Sequence, residues 1–90
     1  MFEFDPEKSA ANLAKHGIDF ETAQKLWDAE RFAEGPTVSP DEERWMRVAM
    51  LEEKLWSAIF TYRDDRIRLI SVRRSRPKEV LQYERQDDQG

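Results

Sequence analysis

The hydrophobic and polar positions of this chain change period near residue 30, from helical spacing to strict alternation. Upstream, apolar residues recur at intervals of three and four, as they do on one face of a helix. The two stripes consist of Ala10, Leu13 and Ala14, and then of Phe20, Ala23, Leu26 and Trp27. Downstream, residues 43–51, 55–63 and 66–74 alternate as half-buried strands do. The pattern predicts a helical hairpin followed by three strands.

Capping residues indicate where the first two helices begin and end. Asp5-Pro6 is typical of a helix start, because an aspartate accepts from free backbone N–H groups and proline lacks an N–H that would be unpaired there. Gly17 is the expected left-handed stop. Asp19 is the predicted cap of the second helix, Ile18 is placed to pack across its start, and the helix is expected to fade near residues 28–30.

The end of the chain favours a third helix. Ser75 is its predicted cap, with Pro77 in the first turn. The inward face is either the pair Val80 and Tyr83 or the pair Leu81 and Glu84. Residues 86–90 are expected to form a flexible tail.

The remaining segments predict short strands and turns. Phe2-Glu3-Phe4 alternates like a strand, and residues 31–34 suit another before a Gly- and Pro-containing loop over residues 35–41. Residues 52–54 and 64–65 are predicted turns. Links this short join antiparallel strands. The fold class is therefore α+β, in the order β-α-α-β-β-β-β-α, with the helices packed on an antiparallel sheet.

Composition and charge narrow the function classes. Ninety residues make a single domain, 1–90, with a net charge of −4 and no cysteine. Disulfides and thiolate metal sites are excluded, and no other metal-ligand spacing or glycine-rich phosphate loop is present, so no cofactor is predicted. The sequence shows no signal peptide and no apolar run of membrane-spanning length, so a cytoplasmic protein is expected, with no membrane partner.

Cationic residues are concentrated in one segment of this acidic chain. Between residues 63 and 78 only Asp64 and Asp65 oppose seven cations, which are Arg63, Arg66, Arg68, Arg73, Arg74, Arg76 and Lys78. Holding phosphate oxygens is the simplest function for such a cluster. Alternatively, these arginines solvate a sheet edge or pair with Glu42, Glu43 and Glu79.

The predicted turn at Asp64-Asp65 fixes which of these residues share a face. A two-residue turn places Arg63 opposite Arg66, Thr61 opposite Arg68 and Ile59 opposite Ile70. Alternation then directs Arg63, Arg66 and Arg68 to one face and Tyr62 and Ile67 to the other. Like charges directly opposed on a hairpin are destabilising, which a bound anion or a nearby carboxylate relieves.

Several of these segments together resemble the BrnT family of bacterial type II toxins. The resemblance covers residues 4–84, and it is specific because two motifs occur together. It is carried by Phe4-Asp5-Pro6, Asn12-Leu13-x-Lys15-His16-Gly17, Asp19-Phe20-Glu21-x-Ala23, Glu42-Glu43-Arg44, Tyr62-Arg63-x-Asp65-Arg66-Ile67-Arg68-x-Ile70-Ser71-x-Arg73-Arg74 and Tyr83-Glu84. The chain departs from the family in being acidic, whereas members are often basic.

The resemblance implies a fold like that of the RelE superfamily and a ribonuclease that arrests growth. It also implies a cognate antitoxin with a ribbon-helix-helix DNA-binding domain. The complex of the two then represses its own operon, so that operator DNA is contacted only through the antitoxin complex.

Metal-independent RNA cleavage needs a proton acceptor, a cation at the phosphate and a proton donor. The candidate catalytic residues are Lys15, His16, Glu43, Arg63, Arg68 and Arg73. The candidate RNA-binding residues are Arg44, Tyr62, Arg66, Arg74 and Tyr83. Guanidinium groups contact phosphate bidentately and stay charged, which selects the arginines as phosphate clamps.

Each remaining candidate has a structural alternative. Histidine is the residue type whose unperturbed pKa lies near neutrality, which makes His16 a candidate base. His16 also lies at a helix C-terminus, where a cation is stabilised for structural reasons, and Lys15 shares this ambiguity. Glu43 is a candidate base or an ion-pair partner of a neighbouring arginine. Tyr62 and Tyr83 either stack on bases or belong to the core.

Two other functions remain open. One is a non-catalytic binding module whose arginine-rich strand docks an acidic protein partner. The other, a direct DNA-binding regulator, is disfavoured by the acidic net charge of −4 and by the lack of a predicted recognition helix.

Overall fold

The computed structural model describes residues 1–37 and 43–88. Its elements are β1 (Phe2–Glu3), α1 (Pro6–His16), α2 (Phe20–Ala23), a 3₁₀ turn (Gln24–Asp28), β2 (Phe32–Thr37), β3 (Arg44–Leu51), β4 (Lys54–Arg63), β5 (Arg66–Arg74) and α3 (Pro77–Asp88). The strands form one five-stranded sheet in the order β1-β5-β4-β3-β2. The predicted α+β class and element order are confirmed.

The sheet is mixed rather than wholly antiparallel. Strands β2 to β5 are antiparallel neighbours, as the short links require, whereas β1 pairs parallel to β5. No short link constrains β1, since α1 to β4 intervene in the chain. Strand β2 also continues through Gly35 and Pro36, which the sequence assigns to a loop. Proline is tolerated because β2 is an edge strand. The rest of that predicted loop, from Val38, lies outside the described residues.

A bulge in the β4–β5 hairpin changes the predicted register half-way along. Arg63 opposes Arg66 and Thr61 opposes Arg68, as predicted. The register shifts between Ile59 and Phe60, however, so Ile59 opposes Ser71 instead of Ile70. The extra residue returns Val72 to the core face, where it packs with Leu69.

The two faces of the sheet are covered by different helices. One face, called here the hairpin face after the predicted helical hairpin, packs on α2 and the 3₁₀ turn. Its buried core comprises Ile18, Phe20, Ala23, Leu26, Ala49, Trp56, Ala58, Phe60, Leu69 and Val72. The opposite face, called here the α3 face, has a smaller core of Ala33, Val48 and Tyr83 where α3 packs on β2 and β3. The predicted alternation of the β3 and β4 side chains is thereby confirmed.

Helix α1 docks through polar side chains, which corrects the predicted apolar stripe. Ala10, Leu13 and Ala14 are exposed, whereas Ser9 and Asn12 are buried. The Asn12 amide donates to the carbonyls of Ile18 (2.7 Å) and Val72 (2.9 Å) and accepts from the Val72 N–H (3.2 Å). Strand β1 pairs only with the start of β5, so the backbone groups of Val72 further along β5 need another partner. The Asn12 side chain provides it, which an apolar side chain could not do.

The first two helices follow the predicted caps, whereas the Ser75 hydroxyl, the predicted cap of α3, hydrogen bonds to that of Ser57 at 2.8 Å, and the Glu79 and Val80 N–H groups donate to the Arg76 carbonyl. The Asp5 carboxylate accepts from the Glu7 N–H, the Asp19 carboxylate accepts from the Thr22 N–H, and Gly17 adopts a left-handed φ of 82°. The α-helical part of the second helix is shorter than predicted, since it tightens into the 3₁₀ turn after Ala23.

Helix α3 presents one of its two predicted faces inward. Tyr83 is buried and Val80 half-buried, whereas Leu81 is exposed. The helix runs to Asp88, past Gln86 where the sequence predicts a tail.

Candidate nucleic-acid interface

One end of the α3 face carries a cluster of cationic side chains. The cluster, called here the arginine face, consists of Arg44, Arg63, Arg66 and Arg68. Pairing of Thr61 with Arg68 and of Arg63 with Arg66 fixes the β4 and β5 members side by side near the Asp64-Asp65 turn. Arg44, on the next strand, follows the same alternation as Met46 and Val48. Since neighbouring strands lie about 4.8 Å apart, these guanidinium groups project from one continuous surface.

Exposure and pairing differ among the members of this cluster. Arg63 is exposed and makes no hydrogen bond or ion pair within residues 1–37 and 43–88. The side chain of Arg66 is 66% exposed and that of Arg68 is 33% exposed. Their nearest carboxylate is Glu3, whose oxygens lie 3.9 Å from Arg66 Nη1 and 3.6 Å from Arg68 Nη1. These arginines are therefore held loosely.

Two other arginines are fixed by short hydrogen bonds. Arg73 donates to both oxygens of Glu79, at 2.7 and 2.8 Å. Arg47 lies on the hairpin face, donates to Glu34 at 2.7 Å and stacks on the ring of Phe32. The contrast separates arginines that hold the fold together from arginines that face solvent.

Burial pushes the pKa of Glu79 upward, but hydrogen bonds from Arg73, the Arg76 N–H and Ser57 outweigh it and lower that pKa to about 2. The same hydrogen bond to Glu79 raises the pKa of Arg73. This pairing is the structural alternative that the sequence left open for Arg73. It fastens the start of α3 to β4 and β5, because Glu79 also accepts from Ser57 at 2.8 Å.

Lys15 and His16, two candidate catalytic residues, lie away from the arginine face. They form the last turn of α1, which follows Asn12 at its contact with Val72. Val72 is four residues along β5 from Arg68, the nearest member of the cluster on that strand, which corresponds to about 13 Å of extended strand. Lys15 is exposed and His16 is half-buried. The structure does not bring them together with the cluster.

Glu43 lies next to the arginine face. Its backbone carbonyl accepts a hydrogen bond from the Thr61 hydroxyl at 2.7 Å, and its side chain is exposed. Thr61 is the residue that pairs with Arg68. Among the predicted proton acceptors, Glu43 is therefore the one adjacent to a strand that carries the cluster.

The aromatic candidates and Arg74 lie outside the arginine face. Tyr62 is 56% exposed but points to the hairpin face, where its ring meets those of Trp45 and Phe60. Tyr83 is buried beneath the Arg31 guanidinium, 4.1 Å from the ring centroid, and so belongs to the core. Arg74 lies over Trp56.

Sequence reasoning missed Glu3 and the docking function of Asn12. The signal for Glu3 was present, since Phe2 and Phe4 pack into the core against Trp27 and Phe20 and alternation sends the residue between them to the α3 face. No comparable periodic signal marks Asn12.

Among the described residues, no cluster of three or more His, Cys, Asp or Glu side chains is arranged to hold a metal ion. No described helix is long and apolar enough to span a membrane.

The fold defines a class of small α+β proteins with a five-stranded mixed sheet, which here carries a cationic surface at one end. A family model described as "Ribonuclease toxin, BrnT, of type II toxin-antitoxin system" matches residues 4–79. The chain belongs to this BrnT family of ribonuclease toxins, and the resemblance stated from its motifs is confirmed. A search of curated proteins finds no match.

Proposed function

We propose that this toxin is an endoribonuclease that binds the RNA backbone on its arginine face and cleaves without a metal ion. The observation that supports the proposal most strongly is the loose hold on Arg63, Arg66 and Arg68, in contrast to Arg73. A guanidinium with long or absent partners is ready to form charge-assisted hydrogen bonds with phosphate oxygens. Because the net charge of −4 opposes RNA at long range, the local cluster has to supply the attraction.

The arginine face supplies the cation at the phosphate, which is one of the three groups that RNA cleavage requires. Arg63 and Arg68 stabilise the charge that develops on the phosphorane, since cations placed where charge grows in the transition state lower its energy. Arg44 and Arg66 bind the flanking phosphates. In this proposal Arg73 keeps a positioning function, because its guanidinium is occupied by Glu79.

Glu43 is the proposed proton acceptor for the 2′-hydroxyl group. It is next to Arg44 and hydrogen bonds through its backbone to Thr61. His16 and Lys15 lie toward the other end of β5, and so they are proposed to act outside the chemical step.

The partner of this proposed enzyme is an antitoxin with a ribbon-helix-helix domain, and the complex represses its own operon through that domain. We propose that the antitoxin covers the arginine face with carboxylates. The toxin acts in the cytoplasm, where free enzyme degrades RNA and arrests growth.

The direct test is cleavage of RNA by the purified chain in EDTA, without antitoxin. Wild type is expected to cleave, and Arg63→Ala and Arg68→Ala are each expected to lose about 100-fold or more in kcat, the usual cost of removing one transition-state donor. Lys54→Ala is the matched control, because Lys54 is an exposed cation at the opposite end of β4. Intact RNA across several substrates, with partner binding retained, would favour a non-catalytic binding module instead.

A further inference from the structure

One carboxylate, that of Glu3, lies against the arginine face, and its ion-pair geometry differs from that of the two pairs that fix Arg47 and Arg73. Glu3 shares its two oxygens between Arg66 and Arg68, at 3.9 and 3.6 Å. The Arg47–Glu34 and Arg73–Glu79 pairs are both closed at 2.7 Å. The Glu3 contacts are too long for hydrogen bonds. In addition, Glu3 Oε1 is buried with no hydrogen-bond partner among the described residues.

The position of Glu3 is dictated by its neighbours in the sequence. Phe2 packs edge-on against Trp27 and Phe4 packs against Phe20, so both aromatic rings face the core. The Ile67 N–H donates to the Met1 carbonyl at 2.8 Å, and Glu3 pairs with Arg68 across the parallel ladder. The backbone therefore holds the carboxylate at the arginines although no strong bond retains its side chain there.

We propose that Glu3 is an intramolecular substitute for an RNA phosphate and so sets the affinity of the arginine face. This inference rests on the proposed function. In the free protein the carboxylate partly neutralises Arg66 and Arg68, which offsets the repulsion of closely placed cations. A phosphate, which offers more acceptor oxygens, displaces it and closes the short bonds that the carboxylate leaves unmade.

Displacement of a tethered carboxylate has a measurable consequence. RNA binding to free cations releases counterions and makes affinity fall with salt. Where Glu3 is the group displaced, fewer salt ions are released at that position. Removing the Glu3 charge is therefore expected to tighten RNA binding and to steepen its salt dependence at the same time.

The experiment measures binding of a fluorescent single-stranded RNA with 2′-O-methyl groups, which lacks the hydroxyl nucleophile, at several salt concentrations. Glu3→Gln is expected to bind about two- to tenfold more tightly than wild type, consistent with the modest strength of a partly exposed ion pair. The slope of log Kd against log salt is expected to steepen by up to about one unit. Glu84→Gln removes the same charge from an exposed position on α3 and is the control.

The outcomes separate this inference from the proposed function. If Arg68→Ala weakens binding but Glu3→Gln is indistinguishable from Glu84→Gln, the substitute hypothesis is wrong and the RNA site stands. Unchanged binding by both Arg68→Ala and Glu3→Gln would refute the proposed site itself. Should Glu3→Gln bind as wild type yet cleave unmodified RNA at least 100-fold more slowly, Glu3 acts in proton transfer and the substitute hypothesis fails. Thermal unfolding of each variant verifies that β1 remains docked.

Discussion

At the scale of single residues, polar side chains decide which arginines are available. Glu79 and Glu34 fix Arg73 and Arg47 with bonds of 2.7 Å, so these two cations belong to the fold. The sequence names Arg73 and Arg68 equally as phosphate clamps, because both are arginines of one strand. Only the partner residues distinguish them, and Glu79 lies in a different element. Sequence pattern alone therefore finds the cluster but not the division within it.

Asn12 provides a stability test at this scale. Asn12→Ala leaves the Val72 N–H and two carbonyls without their partner in a buried place, so we expect a loss of about 2–3 kcal/mol in the free energy of unfolding. Leu13→Ala, one residue along and 49% exposed, is expected to change it by less than about 0.5 kcal/mol. Urea denaturation measures both, and equal losses would contradict the docking function of Asn12.

A second residue test concerns the proton acceptor. Glu43→Gln is expected to lower kcat for RNA cleavage by about 100-fold or more, the range of general base catalysis, with little change in KM. His16→Ala is expected to retain activity within a few-fold, because α1 ends away from the arginine face. The reverse result, with His16 essential and Glu43 dispensable, would contradict the assignment.

At the scale of elements, the sequence predicted the strands well because alternation is a local property. Two of the differences between prediction and structure came from non-local partners. The bulge opposite Ile59 was not predicted, because no residue type at that position requires a bulge. A sequence sign of it is the spacing of the core residues Leu69 and Val72, which are three positions apart, whereas regular alternation places core residues two apart. The predicted apolar stripe of α1 was wrong for a related reason, since this helix contacts backbone groups of β5, which hydrophobic periodicity does not reveal.

The docking of α3 makes a pH prediction. The pKa of Glu79 is held at about 2, below its ordinary value of 4.5. A lowered folded-state pKa contributes stability that is present above pH 4.5 and is lost as the pH falls toward 2. Glu79→Gln is therefore expected to be less stable than wild type at pH 6, by on the order of 3 kcal/mol. Urea titrations from pH 6 to pH 2 should show this difference shrinking; a constant difference would contradict the Arg73–Glu79 account.

At the scale of the whole molecule, the acidic toxin gathers four arginines on one surface and has a groove beside that surface. The groove has a volume of about 730 Å³ and runs between α3 and β2, lined in part by Met46, Val48 and Gln82. Both surfaces lie on the α3 face. The sequence predicted the first surface from charge clustering, whereas the lining and volume of the groove depend on how α3 packs against β2.

These two surfaces offer a test of antitoxin binding. With Arg63, Arg66 and Arg68 all replaced by alanine, calorimetry with the cognate antitoxin is expected to show at least tenfold weaker binding, because buried charge pairs at an interface are costly to break. If the triple variant binds the antitoxin as tightly as wild type does, the antitoxin docks in the groove and not on the arginine face.

The central claim is that an RNA backbone lies on the arginine face, and amide chemical shifts test it most directly. Titration of the labelled toxin with uncleavable 2′-O-methyl RNA is expected to perturb the amides of residues 61–68 and of Glu3, with the end of α1 unaffected. Perturbations confined to residues 12–17, or spread evenly over the surface, would contradict the account.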